Sequence, residues 1–369
     1  MRVLILLSRC DQTGMTTNTL DLCEGLIDLG HDVTLIVGTK SDDDYVAKQR
    51  LGDFSNLGVK IVQFPVTESR IGRGFALMKI LYNLASLKKD IIHVESPYLT
   101  FCPWLIRQKF TSTFHVNDLI RCFNYKNAPH LIAISKETKQ YAMKNFGYSD
   151  KDITIVNHGV GKRFSIMADE RLKTEIKEKH GLPKDKILIG LVGSIEKRKG
   201  HHILLNALKQ LPPEDLDKAH VVFCGSSKFG NENRDWLYDT ISSTIGWERV
   251  THIEYCESKE IYDILDLTVL PSSLEGFPLV AIESMMSGVC TIRSNSEGAS
   301  EQIVDGVTGR VFNIDDISGL SEILHELINN DELRQRLAKA GRDYALTHFT
   351  AKKMAENTVK VYEKVINEY

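Results

Sequence analysis

Residues 2–37 read RVLILLSRCDQTGMTTNTLDLCEGLIDLGHDVTLIV. An apolar run at 2–8 meets a polar turn and then a helix-like stretch at 16–29. The turn Gly30-His31-Asp32 follows, and a second apolar run occupies 33–37. Neither run alternates with polar residues, which is the pattern of strands buried on both faces in a parallel sheet. The same rhythm recurs at 59–64, 90–94, 112–115, 131–134 and 153–156, with helix-length segments between most of these runs. The spacing therefore predicts right-handed βαβ units. MRVLILLSRC is expected to be the first strand and not a signal peptide, because no small-residue cleavage site follows it.

The rhythm breaks over 161–185, which is charged and apolar-poor and carries the turn Gly181-Leu182-Pro183. It restarts with strands expected at 187–192, 220–224, 250–254, 267–270 and 289–293, and a helix from 200 to 211. A chain of 369 residues has room for two domains. The expected layout is a first domain at 1–160, a linker at 161–185, a second domain at 186–349 and a C-terminal helix at 350–369. Ala351, Met354, Ala355, Thr358, Val361, Tyr362 and Val365 recur at helical spacing in that helix. Such a face needs a domain to lie on, and the first domain is the expected one. The fold class is α/β: two doubly wound, Rossmann-like parallel-sheet domains facing across a cleft, with a ligand at the carboxyl ends of the strands.

Composition narrows the function. The net charge is −3, from 46 Lys+Arg and 49 Asp+Glu, which argues against a nucleic-acid partner. The sum conceals a division. Up to Val160 there are 19 Lys+Arg against 16 Asp+Glu, and beyond it 27 against 33. No apolar run is long enough to cross a membrane. Cys10, Cys23, Cys102, Cys122, Cys224, Cys256 and Cys290 include no C-x-x-C pair, so buried free thiols are expected, as in a reducing cytoplasm. Aspartates 42/44, 150/152 and 215/217 give D-x-D spacing, but they sit in charged loops and read as solvated charge, so no metal is expected.

The richest stretch is residues 270–288, LPSSLEGFPLVAIESMMSG. A strand ends at Leu270, a loop holds Glu275 and Gly276, and Pro278 stands where a first helical turn begins. Amides around Phe277, Leu279 and Val280 point out of such a helix start and favour an anion. Glu275 and Glu283 either hold two hydroxyl-bearing parts of one ligand or are a cap acid and a surface glutamate. In residues 190–200, GLVGSIEKRKG, a glycine turn carries Lys197, Arg198 and Lys199 without the spacing of a nucleotide-hydrolysing phosphate loop. The first βα turn holds Gly14 as its single glycine, so the dinucleotide fingerprint is absent. His115 ends an apolar run and is either structural or turned to the ligand. From Arg70 to Lys89 there are five cations, no acid and an apolar set. That stretch is either a helix packed on the sheet with a basic rim or one lying on an anionic membrane.

These residues resemble the large family of retaining, GT-B-fold glycosyltransferases. An E-x7-E signature is met by Glu275 and Glu283 in EGFPLVAIE, followed by Ser287-Gly288. Val156-Asn157-His158-Gly159-Val160, Gly193 with Lys199-Gly200, Gly30-His31-Asp32-Val33, and Gly298 through Glu301 and Gly306 to Gly309 resemble further family motifs. The resemblance implies a nucleotide-diphosphate sugar bound mainly by the second domain. Lys199 would neutralise the leaving diphosphate. Glu275 and the backbone of Gly276, Phe277, Pro278 and Leu279 would meet the sugar, and Glu283 the ribose. Gly14 and His115 would complete the sugar site. The catalytic set so implied is His115, Lys199 and Glu275, with no metal and no other cofactor. Two departures stand out: Ser194 occupies the place of a phosphate-binding arginine, for which Arg198 is the substitute, and Glu95 stands where a second histidine is common.

The function so implied is retaining, metal-independent transfer of a hexose-type sugar to a glycan or glycolipid acceptor, in bacterial cell-surface polysaccharide or lipopolysaccharide synthesis. The expected setting is the cytoplasm or the inner face of the cell membrane. A nucleotide-sugar epimerase of the same fold and a non-catalytic partner subunit are the alternatives.

Overall fold

The structure is a computed structural model that describes residues 1–11, 13–40, 45–115, 127–227, 230–254 and 256–368. Cys122 and the aspartates at 42 and 44 lie outside the described residues. The chain forms two compact units, Met1–Gly161 with Phe349–Tyr369, and Lys162–His348.

The first unit is built on a seven-stranded, all-parallel sheet. Its strands are β1 (Arg2–Leu7), β2 (Asp32–Thr39), β3 (Lys60–Pro65), β4 (Ile91–Val94), β5 (Phe110–Phe114), β6 (His130–Ala133) and β7 (Ile153–Ile155), in the order β3-β2-β1-β4-β5-β6-β7. Val3 lies opposite Val33 on one side and Ile91 on the other. The unbroken apolar runs follow from this placement, since inner strands such as β1 and β4 are covered on both faces. The strand order reverses between β1 and β4, so the loops after these two strands diverge and leave a ligand-sized crevice at their carboxyl ends.

The second unit repeats the plan with six parallel strands. They are β8 (Ile187–Val192), β9 (Ala219–Cys224), β10 (Val250–Ile253), β11 (Leu267–Leu270), β12 (Cys290–Ser294) and β13 (Arg310–Phe312), in the order β10-β9-β8-β11-β12-β13. Here the order reverses between β8 and β11. The loops at that point are 193–200 and 271–278, the two stretches whose sequence carried the chemistry.

Three features depart from the sequence reading. β13, only three residues long, gives too short an apolar run to register. The stretch expected as a linker, 161–185, holds a 3-10 turn at Lys162–Ser165 and a helix at Glu170–Lys179, and from Lys162 on it belongs to the second unit. That helix buries only Ile176 and is braced by Lys173–Glu170 and Arg171–Glu175 ion pairs, so its composition looks like a loop. Thirdly, the first helix begins at Gly14 and not at 16.

The C-terminal helix, Ala351–Glu368, buries Ala351, Met354, Ala355, Thr358, Val361, Tyr362 and Val365. Most of that face shares one core with Val3, Ile5, Leu7, Cys23 and Leu26. Gly25 permits the approach: a Cβ there would lie 2.2 Å from the Ala351 carbonyl oxygen. Among the described cysteines all are free thiols. Cys224 and Cys256 lie with their sulfurs 3.2 Å apart.

Candidate active site

In the second unit, glycines let two loops meet. β8 runs into Gly193, at φ +148°, whose N–H donates to the Cys224 carbonyl at 2.9 Å. Gly200, at φ +76°, closes the turn Lys197–Lys199, and a Cβ there would lie 2.2 Å from the Pro271 carbonyl oxygen. Only glycine fits both that conformation and that spacing. The loops are then joined by main chain: the Ser273 N–H donates to the Arg198 carbonyl at 2.9 Å, and Arg198 Nη1 reaches the Leu274 carbonyl at 3.3 Å.

The result is a close ion pair. Lys199 Nζ donates to Glu275 Oε1 at 2.5 Å, with the two side chains 15% and 11% exposed. Burial pushes the Glu275 carboxyl up, but the charge and hydrogen bond of Lys199, helped by Arg198, outweigh it and hold the group below its ordinary value. Glu275 is therefore an anion at neutral pH, able to accept hydrogen bonds from hydroxyls. Lys199 keeps two further N–H groups for a second anion.

The three cations of this turn do not act together. Lys199 faces Glu275, while Lys197 sits 5.9 Å from the centre of the Trp236 ring. Arg198 is held by Glu196, with Nε to Oε2 at 2.8 Å, and its Nη1 lies 3.9 Å from Glu275 Oε1. Glu196 also accepts from Ser194 Oγ at 2.5 Å. Ser194 and Arg198 thus share one carboxylate, a connection that linear spacing does not show.

Beyond Glu275, Gly276 and Phe277 are buried, and Pro278 is the cap of the helix Leu279–Met286, one residue outside its first turn. As a proline it supplies no side-chain hydrogen bond to that turn. Glu283 is 4% exposed, with Ser258 Oγ 3.4 Å from its Oε2, so it is not a surface glutamate.

One residue that fixes this helix start escaped the sequence reading. Arg293, at the end of β12, is 1% exposed. It donates to the Ser296 hydroxyl at 3.0 Å, to the Glu297 carbonyl at 3.0 Å and to Gln302 Oε1. Gln302 Nε2 in turn donates to the Pro278 carbonyl at 3.0 Å. The signal was present: a lone cation inside the buried run TIRS needs several acceptors.

The first unit carries the other assigned residues. Gly14 opens its helix, and a Cβ added there would meet, among the described residues beyond its own turn, nothing within 4 Å. Ahead of it, Asp11 Oδ1 accepts from the Thr13 N–H at 2.9 Å and from the Thr13 hydroxyl at 2.6 Å. His115, 8% exposed, donates from Nε2 to Glu95 Oε2 at 2.6 Å and stacks on His158 at 5.3 Å between ring centres. Behind it, Glu95 Oε1 lies 3.4 Å from His93 Nε2. His93 is fixed by Thr113 at 2.7 Å and by the Tyr362 hydroxyl of the C-terminal helix at 2.6 Å. Burial pushes the Glu95 carboxyl up, yet His93 and His115 pull it below its ordinary value. His115 is thus held from behind by a carboxylate, which is what Glu95 does in the place of a second histidine.

His115 lies at one side of a cavity of about 890 Å³ within this unit. Ser8, Arg9 and Asp11 line it from the loop after β1, and Ser96, Pro97 and Tyr98 from the loop after β4. Arg73, Ala76, Leu77 and Ile80 close it from the helix Arg70–Ser86. The walls are largely apolar, with Arg9, Asp11, Arg73 and His115 among the titratable side chains that line them.

The described D-x-D aspartates are engaged locally. Asp150 pairs with Lys139, Asp152 accepts from Ser149, Asp215 pairs with Lys218 and His325, and Asp217 pairs with Arg249.

Two family models match the chain. The one described as Glycosyl transferases group 1 matches residues 173–344, and the one described as Glycosyltransferase Family 4 matches residues 13–162. An uncharacterized glycosyltransferase of Methanocaldococcus jannaschii is 26% identical over 314 residues, covering 82% of this chain and 75% of that protein. The capsular polysaccharide biosynthesis glycosyltransferase CapM of Staphylococcus aureus is 26% identical over 244 residues, covering 65% of this chain and 63% of its own length. Among solved structures, Anabaena HepE in complex with UDP-glucose superposes with a TM-score of 0.84 at 17% identity, over 99% of this chain and 100% of that one. At that identity the likeness speaks for the fold.

Proposed function

We propose that this chain, which belongs to the group 1 glycosyltransferases and has their GT-B architecture, moves a hexose-type sugar from a nucleotide-diphosphate donor to a glycan or glycolipid, with retention and without a metal. The observation that carries the reading is the Lys199–Glu275 pair on loops stitched together at the strand reversal of the second unit. A partly buried ammonium beside a helix start is where a leaving diphosphate gains charge, and electrostatic groups already in place are the main lever on such a step. Arg198 is assigned the second cation in the absence of an arginine at Ser194. Glu275 and the backbone from Gly276 to Leu279 are assigned the sugar, and Glu283 the ribose. Gly14 and His115 are the first unit's contribution to sugar recognition.

Support for the donor class comes from HepE, which was solved with UDP-glucose, and for a polysaccharide product from the name of CapM. The cytoplasm, or the inner face of the cell membrane reached through the stretch from Arg70 to Lys89, is the setting this reading assigns.

Thermal denaturation against a panel of nucleotide-diphosphate sugars is the direct test. A true donor at a hundred times its Kd stabilises the folded protein by about 2.7 kcal/mol. No shift with any of them would remove the reading. Proton NMR of the anomeric centre then decides stereochemistry, an inverted product refuting retention. Nucleotide diphosphate set free only when acceptor is present would exclude the epimerase.

A further inference from the structure

The sulfurs of Cys224 and Cys256 lie 3.2 Å apart, and a disulfide needs about 2.0 Å, so roughly 1.2 Å of movement joins them. Cys224 ends β9 and is fixed in place. It stands between Val192 of β8 and Ile253 of β10, and its carbonyl accepts from the Gly193 N–H at 2.9 Å. Cys256 follows β10, and among the described cysteines it alone is not buried. Cys10, Cys23, Cys102 and Cys290 are at most 2% exposed. The hydrogen bond between the two thiols holds Cys256 below its ordinary value and pushes Cys224 up. One sulfur is thus suited to attack and the other to resolve.

The pair lies close to Glu283. Just past Cys256, Ser258 opens the helix Ser258–Tyr262, and its Oγ is 3.4 Å from Glu283 Oε2. Tyr262, at the end of that helix, is buried and donates to the Val280 carbonyl at 3.3 Å, on the helix that carries Glu283. Burial pushes the Tyr262 phenol up, and Glu283, Cys224 and Cys256 push it further, because all three lie near its hydroxyl. A shift of Cys256 therefore passes into the segment that touches Glu283.

We propose that Cys224 and Cys256 are an oxidation site: a peroxide converts them to a disulfide, and the closed form binds the nucleotide-diphosphate donor more weakly. The thiol half stands on its own, and the donor half rests on the assignment of Glu283 to the ribose. The Cys256 thiolate attacks one peroxide oxygen, the O–O bond breaks, and the other oxygen leaves as water. The Cys224 sulfur then displaces the hydroxyl of the sulfenic acid, and the S–S bond forms as a second water leaves. Two thiols and one hydrogen peroxide give one disulfide and two waters. Each sulfur loses one electron, each peroxide oxygen gains one, and the thiol protons end in the waters. Because β9 is paired on both sides, the loop at Cys256 makes the movement and draws Ser258 from Glu283. In a reducing compartment such a pair acts as a transient sensor. Coupling is reciprocal, so bound donor makes the disulfide easier to reduce.

The test treats the full chain with stoichiometric hydrogen peroxide and maps its cysteines by peptide mass spectrometry. The expected product is an internal Cys224–Cys256 link, lighter than the dithiol by two hydrogens and reversed by dithiothreitol. Cys256→Ser should form no link, and Cys224→Ala should instead keep added oxygen on Cys256. Titration with UDP-glucose, ADP-glucose and GDP-mannose then reads the donor half. Whichever binds the reduced chain should bind the oxidised one about tenfold more weakly. Cys256→Ser should bind it equally with and without peroxide. No internal link, a link between two chains, or a link through other cysteines would overturn the oxidation site. A linked chain of unchanged donor affinity, or an equal loss in Cys256→Ser, would overturn the donor half. If none of the three binds the reduced chain, the transferase reading and the donor half fall together, and the mass result alone decides the thiol pair.

Discussion

Lys199 and Glu275 stand 76 positions apart in the chain and 2.5 Å apart in space. Their pairing makes a sharp prediction. Glu275→Ala should cost transfer by a factor of roughly 10² to 10³, because it removes an acceptor set in place for the sugar and frees Lys199 to turn away. The thermal midpoint measured alongside separates loss of chemistry from loss of fold, and full activity would refute the role. Gly14 gives the converse case. Among the described residues, none beyond its chain neighbours and its own helix turn lies within 4 Å of the Cβ that a larger residue would add, so Gly14→Val should leave the midpoint within a few degrees of the parent. If a sugar approaches that helix start, transfer falls at least tenfold in the same variant, and a steady-state assay reads it. Glu275, Glu283 and Lys199 were legible because the stretches that hold them resemble family motifs. Glu196 and Arg293 were not, because what matters about them is which loop folds against them.

Elements were read more securely where both faces of a strand are buried. β1, β2, β4 and β8 announce themselves as unbroken apolar runs. The helix Glu170–Lys179 did not, since it buries one residue and is held by surface ion pairs. The C-terminal helix shows both sides of this. Its apolar face is visible in the sequence, but the close approach to the first helix depends on Gly25, where a Cβ would strike the Ala351 backbone. Gly25→Ala should therefore destabilise the first unit by about 1–3 kcal/mol, although alanine is the better helix former. Chemical denaturation checks this, and a neutral or stabilising result would mean that the two helices separate readily. The same helix carries Tyr362 to His93, and through Glu95 to His115, so its seating bears on the site as well as on stability.

Across the whole molecule, each unit carries a buried histidine that cannot easily be charged. Burial pushes His158, in the first unit, down to about 3, and His201, in the second, down to about 3 as well. The unfolded chain takes up protons on both near pH 6.5 while the folded one does not, so stability falls as pH drops from 6.5 toward 3. At pH 5 each should cost about 2 kcal/mol relative to pH 7. Thermal midpoints at the two pH values test this. His158→Gln and His201→Gln should each flatten the dependence, and an equal midpoint at both pH values would contradict it. The near-neutral total of −3 is thus a poor guide to where charge matters. The βαβ rhythm, the two sheets and the E-x7-E spacing were determined by the sequence alone, because periodicity and local turn chemistry act over a few residues. Which loops close on which was decided by the tertiary structure. Lys199 reaching Glu275 while Lys197 turns to Trp236, and Arg293 anchoring the Pro278 turn through Gln302, depend on contacts between segments set apart in the chain. Those contacts arise only once strand order and packing are in place.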